Sequence, residues 1–447
     1  MIREAVRYLS IALDINGSCF SRDWRALFTI PMINFLYLTK VVTITLLFSF
    51  TMSCSQKTGI AKKPRQQFFK NVTKSYLPNS KVVPQGVTFA EVDRQIGKDL
   101  ILFFSKKNKG TKLKILLNKG IHGIGLAKNS SRVQHLAENI SFLTAKDMNR
   151  DGVDDLVLIT SLEKKRVAKI LFNNGKGYFY SRPGVELPSI APSIERLDLF
   201  DLDQDGDIDF LFTGSRPLGD KRKNQNRQSQ IFINNGRQKF EDATALLLPD
   251  LPAGIVDTSI ADYDKDGFLD IFLVYGNGQN RLLINNGVGK FIDKTDWLLP
   301  TILDQSTSAD WADFDLDGDN DLLITNNSIE KRYQSYSKEM SYFLENDGYG
   351  KFHKRSNNKL PSVKASRVYL LDANGTGIPD AIILNKKRIY YLVGKGKWRF
   401  SLETKKRFSE ISPVKEIVFG DIDGDGFLDL LGIETNNNPK LWLNRVY

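Results

Sequence analysis

The fold is decided by a nine-residue acidic stretch, Asp201-Leu-Asp203-Gln-Asp205-Gly206-Asp207-Ile-Asp209. Carboxylates stand at positions 1, 3, 5 and 9 of this stretch, and a glycine stands at position 6. Calcium accepts about six to eight oxygen ligands at flexible angles, and this spacing can supply them from one short loop. Glycine permits the positive φ of a sharp turn inside such a loop. The stretch therefore predicts a calcium-binding loop.

Four further copies of the pattern begin at positions 147, 262, 313 and 421, and the copy at 147 has an asparagine at position 3. Each copy is followed by an apolar run typical of a strand. We expect about five Ca²⁺ ions, with position 7 adding a carbonyl oxygen in each loop. The predicted side-chain ligands are Asp147, Asn149, Asp151, Asp155, Asp201, Asp203, Asp205, Asp209, Asp262, Asp264, Asp266, Asp270, Asp313, Asp315, Asp317, Asp321, Asp421, Asp423, Asp425 and Asp429.

Two degenerate copies extend the series to seven units. The copy from Asp372 to Asp380 has Thr376 at position 5, so we expect weak calcium binding there. The copy from Glu91 to Asp99 has Ile96 in place of the glycine, so we expect no ion there. The seven copies start 49 to 61 residues apart, which indicates a repeat architecture.

Each unit also repeats the same order of strands. One apolar strand enters the acidic loop and a second leaves it, as in Leu156–Ile159. A third apolar run ends in an Asn-Gly turn such as Asn235-Gly236, which is a strong hairpin signal. A fourth strand then begins at a phenylalanine such as Phe240. Seven units of four antiparallel strands predict an all-β, seven-bladed β-propeller.

The two ends of the repeat region support a closed ring. The last unit stops after its third strand, near Tyr447, and an extra strand at Phe69–Thr73 precedes the first unit. We expect this N-terminal strand to complete the C-terminal blade, which removes an open sheet edge. The alternative is an open array of separate calcium hairpins.

The acidic loops and the Asn-Asn-Gly hairpins resemble those of FG-GAP and VCBS repeats, and through them the N-terminal propeller of integrin α subunits. The resemblance runs from about Phe69 to the C-terminus. It implies a seven-bladed propeller with calcium in the first hairpin of several blades, and it implies no particular activity. The sequence lacks evident Phe-Gly and Gly-Ala-Pro motifs, so the chain is more similar to the bacterial VCBS-like repeats.

The N-terminal region has the pattern of an export signal. An apolar run, Val41–Ser53, follows Lys40 and precedes Cys54, and a cysteine at this place resembles a bacterial lipoprotein cleavage site. We expect residues 1–53 to be a pre-sequence with Met32 as a candidate true start, Cys54 to be lipidated, 54–64 to be a tether and 65–447 to be the propeller. The alternatives are an uncleaved anchor and plain secretion. All three put the propeller outside the cytoplasm, and we expect an exported cell-envelope protein that is lipid-anchored at a membrane, in the periplasm or at the cell surface.

The charge balance is compatible with an anionic partner, and the alternative is a generally lysine-rich composition with no chosen partner. The chain has 63 Lys and Arg against 52 Asp and Glu, and the acids are concentrated in the loops. The remaining surface is therefore basic and favours an acidic glycan, an anionic membrane or an anionic protein, whereas no motif supports nucleic acid. Two long connections between second and third strands, at Thr213–Ser229 and Asn326–Met340, should lie on the rim opposite the acidic loops. Their candidate ligand residues are Arg216, Lys221, Arg222, Lys223, Arg227, Lys331, Arg332, Tyr333 and Tyr336.

Catalytic motifs are lacking. The three histidines, His122, His135 and His353, are scattered, and there is no nucleophile elbow, zinc motif or phosphate loop. We therefore predict a calcium-binding scaffold of the cell envelope. The alternative is a calcium-dependent polysaccharide lyase or hydrolase, since acidic side chains are abundant. Trp297 and Trp311 are expected to pack within their blades.

Overall fold

The computed structural model describes residues 67–77, 84–95, 97–106, 110–119, 124–126, 140–162, 165–183, 185, 187–194, 196–214, 229–236, 239–327, 339–355 and 360–446. The predicted pre-sequence, Met32, Cys54 and the tether lie outside these residues. So do all nine candidate ligand residues of the two long connections. Among the described residues, no helix combines the length and the apolar character that crossing a membrane requires.

Seven sheets, each of four antiparallel strands, confirm the predicted seven-bladed propeller. The first strand of the chain, β1 (Gln67–Asn71), belongs to blade 7. Blades 1 to 3 follow, and they consist of β2 (Gly86–Ala90), β3 (Asp99–Lys106), β4 (Gly110–Asn118) and β5 (Ile124–Leu126); β6 (Ile140–Lys146), β7 (Asp155–Leu162), β8 (Lys165–Asn173) and β9 (Phe179–Tyr180); and β10 (Arg196–Phe200), β11 (Asp209–Thr213), β12 (Ser229–Asn234) and β13 (Phe240–Asp242).

The later blades continue the same order. Blades 4 and 5 consist of β14 (Ile255–Ala261), β15 (Asp270–Tyr275), β17 (Arg281–Asn285) and β18 (Phe291–Asp293); and β20 (Ser306–Ala312), β21 (Asp321–Asn326), β22 (Ser341–Asn346) and β23 (Phe352–Arg355). Blades 6 and 7 consist of β24 (Arg367–Leu371), β25 (Asp380–Asn385), β26 (Arg388–Gly394) and β27 (Phe400–Leu402); and β28 (Val414–Gly420), β29 (Asp429–Glu434), β30 (Pro439–Val446) and β1. A small additional sheet pairs β16 (Gly278–Gln279) with β19 (Leu303–Asp304).

The N-terminal strand closes the ring as predicted. Strand β1 pairs antiparallel with β30, in a register that runs from Gln67 opposite Val446 to Asn71 opposite Trp442. The last blade is therefore built from both ends of the repeat region. This pairing covers the edge of β30, which would otherwise present unpaired backbone groups to other chains.

Short helical turns follow the fourth strand of four blades in the described part of the chain. They are α1 (Thr73–Tyr76), α2 (Thr244–Leu247), α3 (Thr295–Leu298) and α4 (Thr404–Arg407). The first threonine of each turn accepts a hydrogen bond from the third strand of its own blade, as when Leu282 N donates to Thr295 Oγ1 at 3.0 Å. This bond explains why threonine recurs four residues after the phenylalanine of the fourth strand.

The core consists of seven apolar clusters, each of which lies between two consecutive blades. Strand β7 shows why the second strands are continuously apolar. Leu156 and Leu158 pack towards blade 1, whereas Val157 and Ile159 pack towards blade 3. Side chains alternate between the two faces of a strand, so a strand between two neighbouring blades buries both sets. The seventh cluster joins blades 7 and 1 and completes the ring.

Candidate calcium centres on one rim

The seven acidic loops all connect the first strand of a blade to the second, so they share one rim of the ring. In every blade, the aspartate at position 9 is the first residue of the second strand; these residues are Asp99, Asp155, Asp209, Asp270, Asp321, Asp380 and Asp429. The strand therefore fixes one end of each loop, and the first strand fixes the other. The rim presents the same backbone frame seven times.

The loop backbone turns sharply at two positions. The glycine at position 6 has a positive φ in six loops, for example 86° at Gly206 and 99° at Gly318. Position 4 also has a positive φ, and in five loops it carries a side chain: Arg94, Arg150, Gln204, Lys265 and Leu316. A non-glycine residue in this conformation costs about 1–2 kcal/mol. The turn at position 6 was predicted from the glycine there. The turn at position 4 was not predicted, although Gly375 and Gly424 occupy that position in blades 6 and 7.

In blades 3 and 4 only one oxygen of the position-1 carboxylate accepts a backbone hydrogen bond, whereas in blades 2, 5, 6 and 7 both oxygens accept one. Gly206 N donates to Asp201 Oδ2 at 2.9 Å, and Gly267 N donates to Asp262 Oδ2 at 3.0 Å. The remaining oxygens, Asp201 Oδ1 and Asp262 Oδ1, are buried and have no hydrogen-bond partner among the described residues. A buried and unpaired carboxylate oxygen is costly unless a cation binds it. These oxygens therefore fit a metal ligand.

Carboxylate oxygens from several positions converge in four of the loops. The oxygens of each group lie within 4.8 Å of one another, and the groups are Asp201, Asp203 and Asp209; Asp262, Asp264 and Asp270; Asp313, Asp315 and Asp321; and Asp421, Asp423 and Asp425. Calcium–oxygen distances of about 2.3–2.6 Å allow two ligands of one ion to lie up to about 5 Å apart. The four groups are therefore of the right size for one Ca²⁺ each.

The loop of blade 2 has the same internal hydrogen bonds but one carboxylate fewer. Asp151 N donates to Asn149 Oδ1 at 3.0 Å, in the way that Asp205 N donates to Asp203 Oδ1 at 3.3 Å. Gly152 N donates to Asp147 Oδ2 at 2.8 Å. An amide oxygen is also an acceptable calcium ligand. The geometry is therefore compatible with an ion in this loop at a lower ligand charge.

Six of the seven position-9 carboxylates are buried and held by two backbone donors each, whereas the buried Asp380 accepts from one, Gly394 N at 2.8 Å. Asp209 accepts hydrogen bonds from Leu202 N and Asn234 N, both at 2.8 Å. Burial raises the pKa to about 7 in six loops, although the backbone hydrogen bonds lower it in part; the six residues are Asp99, Asp155, Asp209, Asp270, Asp321 and Asp429. A nearby cation favours the ionised form of such a carboxyl.

The repeats match the model of a known protein family. A model of the FG-GAP-like repeat matches residues 147–212, 219–273, 262–324 and 372–432, which together are more than half of the chain. The chain belongs to the FG-GAP-like repeat family. No curated protein sequence matches it.

Three solved structures that resemble this fold have low sequence identity to the chain. A lectin from Agrocybe aegerita, described as recognising non-reducing terminal N-acetylglucosamine, is 17% identical, with a TM-score of 0.48 over 71% of this chain and 79% of that chain. BBS1N, solved in complex with ARL6DN, is 10% identical, with a TM-score of 0.48 over 82% and 94% of the two chains. The V. cholerae biofilm matrix protein Bap1 is 11% identical, with a TM-score of 0.40 over 85% and 91%. Identities this low do not transfer a ligand to this chain.

A ring of asparagines links the acidic loops of this FG-GAP-like repeat protein. In five blades, the asparagine near the end of the third strand donates its side-chain amide to the position-2 carbonyl of the preceding blade. Asn173 donates to Val92 O at 2.8 Å, and Asn285 donates to Leu202 O at 3.1 Å. The equivalent donors in three other blades are Asn118, Asn346 and Asn444. The asparagines before glycine were predicted only to form hairpin turns, so this contact between blades was not expected from the sequence.

Basic side chains of the protein itself also contact the acidic loops. From position 4, Arg150 pairs with Asp207 of the next blade at 3.1 Å, and Lys265 pairs with Asp319 of the next blade at 2.5 Å. These pairs link neighbouring loops from outside the predicted ligand sets. Arg150 and Lys265 at position 4 therefore link neighbouring loops through the carboxylate at position 7, whereas the carboxylates of positions 1, 3 and 9 converge in blades 3, 4 and 5.

Five loops contain groups that compete with a metal ion. In blade 2, Arg94 lies 3.9 Å from Asp151. In blade 5, Trp398 Nε1 donates to Asp315 Oδ2 at 3.1 Å. In blade 7, Arg445 pairs with Asp423 and also lies 3.4 Å from Asp425. In blade 6, the hydroxyl of Tyr391 donates to Asp380 Oδ2 at 2.6 Å. In blade 1, the ammonium of Lys98 lies 3.7 Å from the position-1 carboxylate of Glu91. The contacts in blades 6 and 1 are consistent with the weak site expected in blade 6 and the empty one expected in blade 1. The contact of Arg445 with the blade 7 loop was not predicted from the sequence.

His353, Trp311 and Trp297 are not among the predicted ligands, and His122 and His135 lie outside the described residues. The exposed His353 pairs with Asp347 at 3.2 Å, so it belongs to a hairpin. Trp311 is partly buried and packs against Phe272 and Phe352, as expected, with both ring centroids 6.0 Å away. The expectation for Trp297 was wrong, because its side chain is 76% exposed.

Proposed function

We propose that this chain is a calcium-binding propeller of the cell envelope that acts as a binding scaffold for an anionic glycan or protein partner. One observation carries the calcium part. Carboxylate oxygens of positions 1, 3 and 9 converge within 4.8 Å, while Asp201 Oδ1 and Asp262 Oδ1 remain buried and unpaired. Such an arrangement is unfavourable without a cation and complementary to one.

The loops differ in how well they would hold an ion. Those of blades 3, 4 and 5 bring positions 1, 3 and 9 together without an intruding basic side chain. The loop of blade 2 has Asn149 in place of one carboxylate. The loop of blade 7 shares its carboxylates with Arg445. We therefore expect five sites, with those of blades 2 and 7 the weaker ones, and little binding in blades 6 and 1.

A bound Ca²⁺ would supply positive charge and rigidity. Neutralising three to five clustered carboxylates removes their mutual repulsion, and the asparagine side chains then transmit the fixed loop position to the preceding blade. Binding to the native state raises its stability by about 2.7 kcal/mol per site at a hundredfold excess over Kd. The role proposed for calcium is thus to stiffen the scaffold.

The envelope location rests on the sequence alone. The apolar run that ends before Cys54 is the pattern of a lipoprotein signal, and exported proteins meet the calcium concentrations that weak loops require. A lipid on Cys54 would anchor the propeller to a membrane. Metabolic labelling with a radioactive fatty acid tests this, because label should enter the wild type and not Cys54→Ala. Equal labelling of both would contradict the anchor.

The binding part rests on charge. Outside the acidic loops the chain is basic, with a formal net charge of +11 overall, and a basic surface attracts anionic partners. An array of acidic and neutral polysaccharides, probed at low and high salt, is the direct test. We expect retention on acidic chains that weakens with salt, because exposed charges are screened beyond about 8 Å at physiological ionic strength. Salt-independent binding to neutral chains would contradict it, and turnover of any polysaccharide would favour the enzyme alternative.

A further inference from the structure

A cavity lies on the rim opposite the acidic loops. It spans blades 4, 5 and 6, and its walls come from the starts of first strands and the ends of second strands. Its volume is about 980 Å³, which is at the upper end of the range of about 300–1,000 Å³ typical of small-ligand sites. We call this cavity the rim basin. It lies beside Asn327, where the second long connection leaves blade 5.

The basin carries positive charge and no negative charge of its own. Lys364, Lys386 and Lys387 line it, and none of the lining residues that the structure describes is acidic. None of these three lysines pairs with a carboxylate among the residues that the structure describes. The arginine that follows Ser366 differs, because Arg367 is already paired with Asp257 at 3.4 Å. The three lysines are therefore the cations that an incoming anion would meet.

The backbone around the lysines is held in place before any ligand binds. Lys386 and Lys387 form the tight turn between β25 and β26, where Asn385 Oδ1 accepts a hydrogen bond from Lys387 N at 2.8 Å. On the connection that carries Lys364, Ala365 N donates to Asn326 O at 3.1 Å. A preformed wall reduces the entropy that is lost when a ligand binds.

The rest of the lining suits a sugar. Val256 and Val363 offer apolar surface for the C–H faces of a sugar ring, and Asn327 offers an amide for its hydroxyl groups. A sugar that bears carboxylates matches this lining, because it can pair with the lysines, hydrogen-bond to the polar groups and contact the apolar surface. A purely apolar ligand would leave the lysines and amides without partners.

We propose that the rim basin binds carboxylated sugar units of an acidic polysaccharide, with Lys364, Lys386 and Lys387 as the cationic contacts. The inference rests on the proposed function in that both require an anionic partner, and it adds the site and the chemical class. The basin is far from the calcium loops in the chain topology, because it lies at the opposite ends of the strands. Substitutions in it should therefore leave calcium binding unchanged.

The test compares two triple variants of the full-length, calcium-loaded protein. The basin variant is Lys364→Gln, Lys386→Gln and Lys387→Gln. The matched control is Lys290→Gln, Lys405→Gln and Lys406→Gln, which removes the same charge from exposed lysines of blades 4 and 6 that do not line the basin. The probes are an oligogalacturonate and a neutral maltooligosaccharide of equal length, titrated calorimetrically at low and high salt.

We expect the wild type and the control to bind the oligogalacturonate in preference to the neutral probe. The basin variant should bind at least about tenfold more weakly, because three charge contacts are lost together. Calcium content and melting temperature should be the same in all three proteins. Equal affinity of the basin variant and the wild type would overturn the basin while leaving an anionic partner elsewhere intact. Failure of the wild type to bind the carboxylated probe, or equal binding of both probes, would overturn the ligand class; the calcium proposal would still stand on its own stoichiometry.

Discussion

The closure of the ring by β1 can be tested at one side chain, Phe69. Its side chain is fully buried, and its ring centroid lies 4.6 Å from that of Phe408 and 5.5 Å from that of Tyr391. Phe69 is thus part of the apolar cluster between blades 6 and 7. Replacing a buried phenylalanine by alanine typically costs about 3–5 kcal/mol, from lost transfer energy and from the cavity left behind. We expect Phe69→Ala to destabilise the propeller by that amount.

The chain offers a matched control in Phe352, which begins the fourth strand of blade 5 and is 2% exposed. That blade is continuous in sequence, so Phe352→Ala reports the cost of the same position where no closure is involved. Urea unfolding followed by tryptophan fluorescence, in calcium, should give similar shifts for both variants. A second control, Tyr349→Ala, alters a side chain that is 94% exposed and should change stability by less than about 0.5 kcal/mol.

The result that would refute closure is a near-neutral Phe69→Ala beside a strongly destabilising Phe352→Ala. A chain that starts after residue 83 gives an independent check, because it lacks β1 and α1. Its β30 edge would be open, so we expect early melting and aggregation. Equal stability of this shortened chain and the full protein would contradict the account in the same way.

Three further predictions concern charge. Excess chelator should lower the melting temperature by many degrees, because about 2.7 kcal/mol per occupied site is lost at a hundredfold excess over Kd; an unchanged melt would contradict a stabilising role. Arg445→Gln should tighten calcium binding at the blade 7 loop, since the guanidinium no longer competes for Asp423 and Asp425; titration calorimetry would show one site gaining affinity, and a loss would contradict the competition. Burial raises the pKa of Asp310 from its ordinary value of 3.8 to about 6 in the folded protein. Protonation of this carboxyl therefore contributes fully to the free energy of unfolding below pH 3.8, and the contribution is lost as the pH rises through 6. Between pH 7 and pH 5 the wild type should therefore gain about 1 kcal/mol relative to Asp310→Asn, and parallel pH profiles of the two proteins would contradict this.

The repeat order and the closure were predictable from sequence, because both depend on periodicity. The acidic loop and the Asn-Gly turn recur at regular spacing, and the extra strand at Phe69 supplies the fourth strand of the blade that contains the loop at Asp421. The pairing of the strands and the number of blades follow from this regular spacing once the ring is closed. The apolar character of both faces of the second strands also follows, because every blade lies between two others.

The contacts between blades were not predictable from one loop at a time. The amide of Asn285 meets Leu202 O only because the third strand of blade 4 ends beside the loop of blade 3. Arg445 reaches Asp423 only because β30 runs alongside the loop of its blade. The positive φ at Arg150 or Lys265 is imposed by the loop closure and not by the residue type. Such features depend on distances in space that the spacing in sequence does not contain.

The wrong expectation for Trp297 has a simple geometric reason. Trp297 and Leu246 hold the third position of α3 and α2, and they are 76% and 70% exposed. The first threonine of each turn faces the third strand, so the third position points away from the blade. The sequence shows a large apolar residue next to a strand, whereas the helical turn decides which way it faces.

Calcium stoichiometry tests the central claim most directly. The full-length protein, purified in calcium and dialysed briefly against metal-free buffer, would be analysed for bound metal per chain, beside a triple variant with Asp201→Asn, Asp262→Asn and Asp313→Asn. The account predicts about five Ca²⁺ ions per chain in the wild type and about two in the variant. A wild-type value of zero or one would contradict it.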